Sequence, residues 1–448
     1  MVIVDRPVPA SSPAREAAGQ AARTAAPRRT LAELVTTGRD PLGILAAQNS
    51  TRVPELVPLR RERMAASAFA FYRGTAALMA ADLAASPTSG IQVASCGDAH
   101  VANFGFYASP QRTLVFDLND FDEAAWAPWE CDLKRLVTSI VIAGQATDRA
   151  EDVTTDAARA AVRSYVTALR GGRDATPLAR YYQHFDAVGG LGAGSRSTRR
   201  VVKAAIADAE KRTGERASRK LTTLGDDGRL RFVERPPTMT HVDAELEELV
   251  TSSVTDYLST TRADVRLLLA HYAASDTVRR VVGVGSVGTR CYATALVDGD
   301  GATLLLQTKE AGRSVLAEHG ARVQPPDVAA YIDEHGEGGR VVAMQRILQG
   351  VSDPLLGSFR GTERDYYVRQ FRDMKGGIDV ETVDDASFRL YAQACAAVLA
   401  RAHGQSPTAA EVVGYIGDGR LVTRAIVEWA RAYAELSRQD YDLFVAAG

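Results

Sequence analysis

Residues 96–126 read CGDAHVANFGFYASPQRTLVFDLNDFDEAAW, and the fold reading of the whole chain starts here. NFGFYA and TLVFDL are short apolar runs joined by SPQR, a turn signal, so the stretch predicts a β-hairpin. IQVAS (91–95) adds a short buried strand in front of it. Within these apolar runs sit Asp98, His100, Asn103, Asp117, Asn119, Asp120, Asp122 and Glu123. Carboxylates buried without partners are costly, so such a cluster holds a metal or another charge. Asp and Asn oxygens with no cysteine beside them suit a hard cation such as Mg²⁺.

Two chemistries fit Gly97-Asp98-Ala99-His100. A metallophosphoesterase also opens on Asp-x-His, but it needs a later G-N-H-[DE], and no other histidine stands in that context. Phosphoryl transfer needs an Asp to take the acceptor proton, an Asn on Mg²⁺, and a second Asp bridging Mg²⁺ to the phosphates. Asp98 and Asn103 have the spacing for the first two roles. Asp120 or Asp117 supplies the third, and His100 joins Asp98 as a catalytic candidate.

A second stretch complements the first. Gly283-Val284-Gly285-Ser286-Val287-Gly288 matches G-x-G-x-x-G. A dinucleotide site would place a helix directly after it. Here TRCYATALV follows, a strand, then the hairpin turn DGDG, then a third strand, LLLQTKEA, carrying Lys309. A glycine loop between antiparallel strands covers nucleotide phosphates with backbone amides. Lys309 is expected to reach the α/β-phosphates and to pair with Glu318 on the next helix.

The motifs CGDAHVANFGFY…VFDLNDFDE resemble the catalytic and metal-binding segments of aminoglycoside phosphotransferases and choline-kinase-like enzymes, with Cys96 replacing their first His. The glycine loop with Lys309 resembles the small lobe of the same superfamily. VLARAHG (398–404) resembles the helix end that precedes their catalytic loop. The whole chain looks like the bacterial family catalogued as domain of unknown function 2252, grouped with the kinase-like fold. In ordinary kinases the glycine loop and lysine precede the catalytic loop. Here they follow it, so the resemblance implies a circularly permuted order. The D-F…D-L spacing of the phosphotransferases favours Asp120 over Asp117 as metal ligand and assigns Asp132 to brace the catalytic loop.

The resulting expectation is an α+β, kinase-like two-lobe fold. A mobile tail covers 1–29. A mainly helical large lobe covers 30–275, with the site at 91–123. A small antiparallel-sheet lobe covers 276–375, including RVVAMQRILQ and DYYVRQFRD as strands, and C-terminal helices at 376–448 complete the large lobe. Arg63–Ala84 reads as one long helix and VGGLGAGSRS (188–197) as a flexible break. The expected activity is ATP- and Mg²⁺-dependent transfer of the γ-phosphoryl group to a small-molecule hydroxyl. The alternatives on the same fold are a protein kinase, a nucleotidyl transferase or a nucleotide-binding pseudokinase.

Composition narrows the classes. The 448 residues are 46% hydrophobic and 24% charged, which excludes a disordered chain. Lys+Arg 53 against Asp+Glu 55 argues against a nucleic-acid partner. The four cysteines lie far apart, with no zinc or disulfide spacing. No apolar run is long enough for a membrane span, and the N-terminus lacks a signal-peptide core, so a cytoplasmic location is expected.

Overall fold

A computed structural model of the chain describes residues 8–186, 196–243, 247–248, 250, 252–320, 323–371 and 373–448. Most of the expected break at 188–197 lies outside them. The chain is a mixed α+β protein in which helices dominate and every strand pairing is antiparallel.

Strand β1 (Gln92–Ser95) leads into the polar loop 96–103. The hairpin follows as β2 (Phe104–Ala108) and β3 (Leu114–Leu118), in the register Phe104↔Leu118 to Ala108↔Leu114. Strand β4 (Ala125–Pro128) returns to pair with β1, Ser95 opposite Ala125. The polar loops 96–103 and 119–124 therefore leave and re-enter paired strands side by side, which brings their carboxylates together. The helix Trp129–Ala146 runs on directly from β4 and is buried along nearly its whole length. It packs with Glu151–Arg173, Asp385–His403 and Arg420–Ala446 in one apolar core that includes Trp129, Leu133, Tyr165, Leu399 and Trp429.

Short strands β5 (Thr222–Leu224) and β6 (Leu230–Phe232) form a separate pair. Among the described residues, six strands make the main sheet: β7 (Met239–His241), β8 (Ala273–Arg280), β9 (Cys291–Val297), β10 (Thr303–Ala311), β11 (Gly357–Arg360) and β12 (Asp365–Gln370). Their order is β11-β12-β10-β9-β8-β7. The expected strand–glycine loop–strand–DGDG–strand unit is β8–β9–β10, with Asp298 Oδ1 accepting from Ala302 N at 2.7 Å to close the turn.

Several expectations are corrected. The tail expected over 1–29 contains a helix, Ser12–Ala22, packed on the helix Ala409–Ile416. Its small residues allow backbone contact: a Cβ on Gly19 would meet Glu411 O at 1.9 Å, and one on Gly414 would meet Glu16 O at 2.0 Å. The single helix expected at 63–84 is three, Val57–Ala65, Ala68–Arg73 and Ala76–Ala85. Ser67, in extended backbone, caps the second by accepting from Ala70 N at 3.0 Å. RVVAMQRILQ is the second half of the helix Pro326–Leu348, not a strand; its apolar run is buried against β11 and β12, and short apolar runs carry no period that separates helix from strand. The sheet lobe also begins earlier than residue 276. Leu221, Phe232 and Met239 pack under β8 and β9, and Tyr257, Val265 and Leu269 cover the opposite face.

Candidate functional site

One face of the helix Trp129–Ala146 grips the loop 96–101. Asp132, Arg135 and Ser139 stand at i, i+3 and i+7, so their side chains share that face. The Asp132 carboxylate accepts from Cys96 N at 2.7 Å and Gly97 N at 3.0 Å. Arg135 donates to Asp98 Oδ1 at 2.8 Å, and Ser139 Oγ accepts from Val101 N at 2.9 Å. Asp132 thus braces the loop from the next helix, as expected. It also accepts from His403 Nε2 at 3.1 Å, which in the neutral ring leaves Nδ1 to accept from the Tyr165 hydroxyl at 2.8 Å. Gly97 is required here: its φ is +80°, and a Cβ would meet Glu123 O at 1.9 Å.

Arg135 occupies Oδ1 of Asp98, and Asp98 Oδ2 lies 3.6 Å from His100 Nε2. His100 is buried, and its Nδ1 has no hydrogen-bond partner. Burial lowers its pKa to about 4; Asp98 opposes that, while Arg73 and Arg135 add to the drop. The ring is therefore neutral at physiological pH. Asn103 donates through Nδ2 to the carbonyls of Asp98 (3.1 Å) and Asp120 (3.0 Å), which ties the two loops together. Among the described residues its Oδ1 accepts no hydrogen bond, so an amide oxygen remains for a ligand.

Lys309, on β10, is 2% exposed and meets the second loop. Its Nζ lies 3.3 Å from Asp120 Oδ1 and closer still to Asp122 Oδ2. Tyr367, opposite Lys309 on β12, donates to Asp122 Oδ1 at 2.5 Å. Burial pulls the Lys309 pKa down, but Asp120 and Asp122 overcome it and hold the ammonium well above its ordinary value. The position of Asp120 in the cleft pushes its carboxyl up, and Lys309, Arg369 and Lys375 outweigh that, holding it below the usual carboxylate range.

The expected Lys309–Glu318 pair does not form. The helix Val315–Glu318 is a single turn whose start is tied to the second loop: Ser314 Oγ donates to Glu123 O and Val315 N to Glu123 Oε2, both at 2.8 Å. Glu318 is half-exposed at the rim beside His319, and the acids on the loop take its place. Asp117 also leaves the site. It is fully buried in β3 and accepts from Leu118 N at 2.8 Å and Gly350 N at 2.7 Å, with Arg401 3.9 Å away. Burial raises its pKa, against Arg401 and those two N–H groups.

The glycine loop forms the opposite wall. Its carbonyls point outward: Gly283 O accepts from Arg63 at 2.8 Å, Val287 O from Arg52 at 2.6 Å and Gly288 O from Val53 N at 2.8 Å. Among the described residues the N–H groups of Val284, Gly285 and Ser286 find no acceptor. Ser286 Oγ donates to Val282 O at 3.1 Å. Gly288 sits behind the loop against Arg52, away from the cavity.

Asp98, His100, Asn103, Asp120, Gly283, Gly285, Ser286, Lys309 and Glu318 all line one cleft of about 1140 Å³ between the sheet and the hairpin. Among the described residues no group of three His, Cys, Asp or Glu side chains clusters for a metal. Asp120, with a side chain 47% exposed, and the free Asn103 oxygen are nonetheless two hard oxygen donors facing the same cleft, the number Mg²⁺ takes from protein when phosphates complete its shell.

Reasoning from the sequence overlooked Arg135 and Tyr367 as parts of the site, and placed Asp122 in the acidic cluster without a role of its own. Arg135 was legible from its i+3 offset to Asp132. Tyr367 had no such signal, since only the β10–β12 register sets it beside Lys309. No curated protein and no solved structure matches the chain. Residues 52–447 match the family described as "uncharacterized protein conserved in bacteria", domain of unknown function 2252. The match spans most of the chain, and the chain belongs to that family.

Proposed function

We propose that the protein is an ATP- and Mg²⁺-dependent phosphotransferase that moves the γ-phosphoryl group to a hydroxyl of a small molecule. One observation carries the reading: Lys309 of the sheet and Asp120 of the hairpin meet at 3.3 Å inside a cleft whose other wall is a glycine loop with free amides. A buried lysine beside amides that lack acceptors is a receptor for phosphate oxygens. Asn103 and Asp120 would hold Mg²⁺, which when bound neutralises charge on the phosphates.

Asp98 is the general base. Arg135 fixes its carboxylate through Oδ1, leaving Oδ2 to take the acceptor proton. His100, neutral and 3.6 Å from Oδ2, leaves that oxygen without a competing cation. Lys309 holds phosphate oxygens in place of its present carboxylate partners. The kinase-like, permuted reading is supported by the C-terminal helix. Beyond His403, Ser406 Oγ accepts from Ala94 N at 2.9 Å and Thr408 donates to Gln92 O at 2.5 Å. The helix Asp385–His403 thus ends beside β1, the strand that enters the catalytic loop. A direct continuation there would restore the usual order.

The test is transfer of labelled phosphate from ATP to a metabolite extract, with mass spectrometry of the product. A Mg²⁺-dependent phosphorylated product is expected. A protein that binds neither ATP nor ATP–Mg²⁺ by calorimetry overturns the reading.

A further inference from the structure

Loop 119–124 is held by its backbone. Every carbonyl along it accepts a hydrogen bond: Asn119 O from Arg369, Asp120 O from Asn103, Phe121 O from Ala124 N, Glu123 O from Ser314, and both Asp122 O and Ala124 O from Arg340. Arg340 is 3% exposed. It reaches Asp122 O at 2.9 Å, Ala124 O at 2.5 Å and, just past the end of β10, Gly312 O at 2.8 Å. One guanidinium therefore ties the loop that carries Asp120 and Asp122 to the end of the strand that carries Lys309.

Local structure sets where that guanidinium stands. The helix Pro326–Leu348 breaks at Gly336, whose φ is +72°, and restarts at Glu337. Asp365 Oδ2 accepts from Glu337 N at 2.7 Å, so the restart is capped from β12, at the residue paired with Ala311 of β10. A Cβ on Gly336 would meet that carboxylate at 2.5 Å. Glu337 and Arg340 stand at i and i+3, and Glu337 Oε2 accepts from Arg340 Nε. A buried guanidinium needs a counter-charge and acceptors for its N–H groups. Glu337 supplies the charge, and the three carbonyls supply the acceptors. Among the described residues Arg340 takes no carboxylate oxygen from Asp120 or Asp122, and Lys309 Nζ meets both.

Resting on the phosphotransferase reading, we propose that Arg340 is a positioning residue: it holds Asp120 and Asp122 against Lys309 and so sets where the metal-binding oxygen of Asp120 stands. The planar fork is what the task requires, because its donors span carbonyls on two segments at once. A lysine at this position keeps the pair with Glu337, but its compact ammonium spans them poorly.

The test has two arms, both on the full chain. The first is acetylation with limiting acetic anhydride, read lysine by lysine by mass spectrometry, and it needs no nucleotide. Wild-type Lys309, buried and paired, should label slowly against exposed Lys203. Arg340→Gln should raise the Lys309 rate by about 10- to 100-fold as the acids leave it. Lys134, 0% exposed in the core, should stay protected and serves as the report on unfolding. Arg340→Lys should restore part of the protection of Lys309. The second arm is calorimetry of a non-hydrolysable ATP analogue with and without Mg²⁺. Arg340→Gln should lose about 10-fold of the affinity that Mg²⁺ adds, since Asp120 no longer stands in place. The proposal is overturned if Lys309 labels at the wild-type rate, if Lys134 labels in step with it in both variants, or if the Mg²⁺ gain persists while Lys309 is released. Failure of the wild type to bind the analogue sinks the phosphotransferase reading itself, and the labelling arm still decides whether Arg340 holds the acids to Lys309.

Discussion

Lys309 Nζ lies 3.3 Å from Asp120 Oδ1 across the cleft, although 189 residues separate the two in the chain. This contact joins the six-stranded sheet to the loop that follows the hairpin, and Asp122 and Tyr367 extend it.

Removing the cation should therefore cost both stability and function. In Lys309→Met the acids lose their counter-charge inside the cleft. Breaking a buried pair costs about 3–5 kcal/mol, and the partial exposure of Asp120 reduces that to about 1–3 kcal/mol. Turnover should fall by about 10²-fold or more with the loss of a preorganised charge. Urea unfolding and steady-state kinetics read the two effects. Unchanged turnover would remove Lys309 from phosphate binding.

The two cleft aspartates should fail differently. Asp98→Asn should retain ATP–Mg²⁺ affinity and lose about 10²–10⁴-fold in rate, the usual contribution of a general base. Asp120→Asn should weaken Mg²⁺-dependent nucleotide binding as well as rate. Calorimetry with and without Mg²⁺ separates them, and the opposite pattern would exchange their roles. Asp117→Asn, buried away from the cleft, should lower stability without altering the Mg²⁺ dependence.

Glu123 makes stability depend on pH. Burial raises its carboxyl from an ordinary 4.5 to about 7, against the Val315 N–H and Arg340. A carboxyl whose folded pKa is raised stabilises the fold fully below its unfolded value and loses that contribution as pH rises through the folded one. Stability should therefore decline from about pH 4.5 to about pH 7 in proportion to this group. Glu123→Gln should flatten that segment of a urea-unfolding pH series. An unaltered slope would assign the decline elsewhere.

Gly97→Ala places a methyl group on the Glu123 carbonyl and forces a side chain into φ +80°. The expected cost is about 2–4 kcal/mol, since positive φ adds to the displacement of loop 119–124. Thermal unfolding measures it. A variant as stable as wild type would show that the loop re-forms without this approach.

How much of this was legible in the sequence follows from range. The hairpin at 104–118 and the β8–β9–β10 unit were readable because alternation and turn chemistry are local. The carboxylate cluster was readable because its acids interrupt apolar runs. The family resemblance favoured Asp120, but the local residues did not choose, because Asp117 and Asp120 differ in what other segments bring to them: Gly350 and Arg401 to one, Lys309 to the other. Glu318 failed as a partner because a one-turn helix leaves it at the rim, which no periodicity reports. The helix Ser12–Ala22 has a local start, Ser11 as cap and Pro13 in the first turn, but the contact that holds it lies on Ala409–Ile416, nearly the whole chain away.

The bond between His403 and Asp132 has a consequence for synthesis. Every carboxylate proposed for chemistry has left the ribosome long before residue 403 is translated. Until then one oxygen of Asp132 lacks its imidazole, and the helix that lies beside β1 does not exist. A nascent chain that ends ahead of this helix carries all the acids, the lysine and the helix that grips loop 96–101, but not the imidazole that backs Asp132. The last contacts behind loop 96–101 and β1 are thus deferred to the final part of translation.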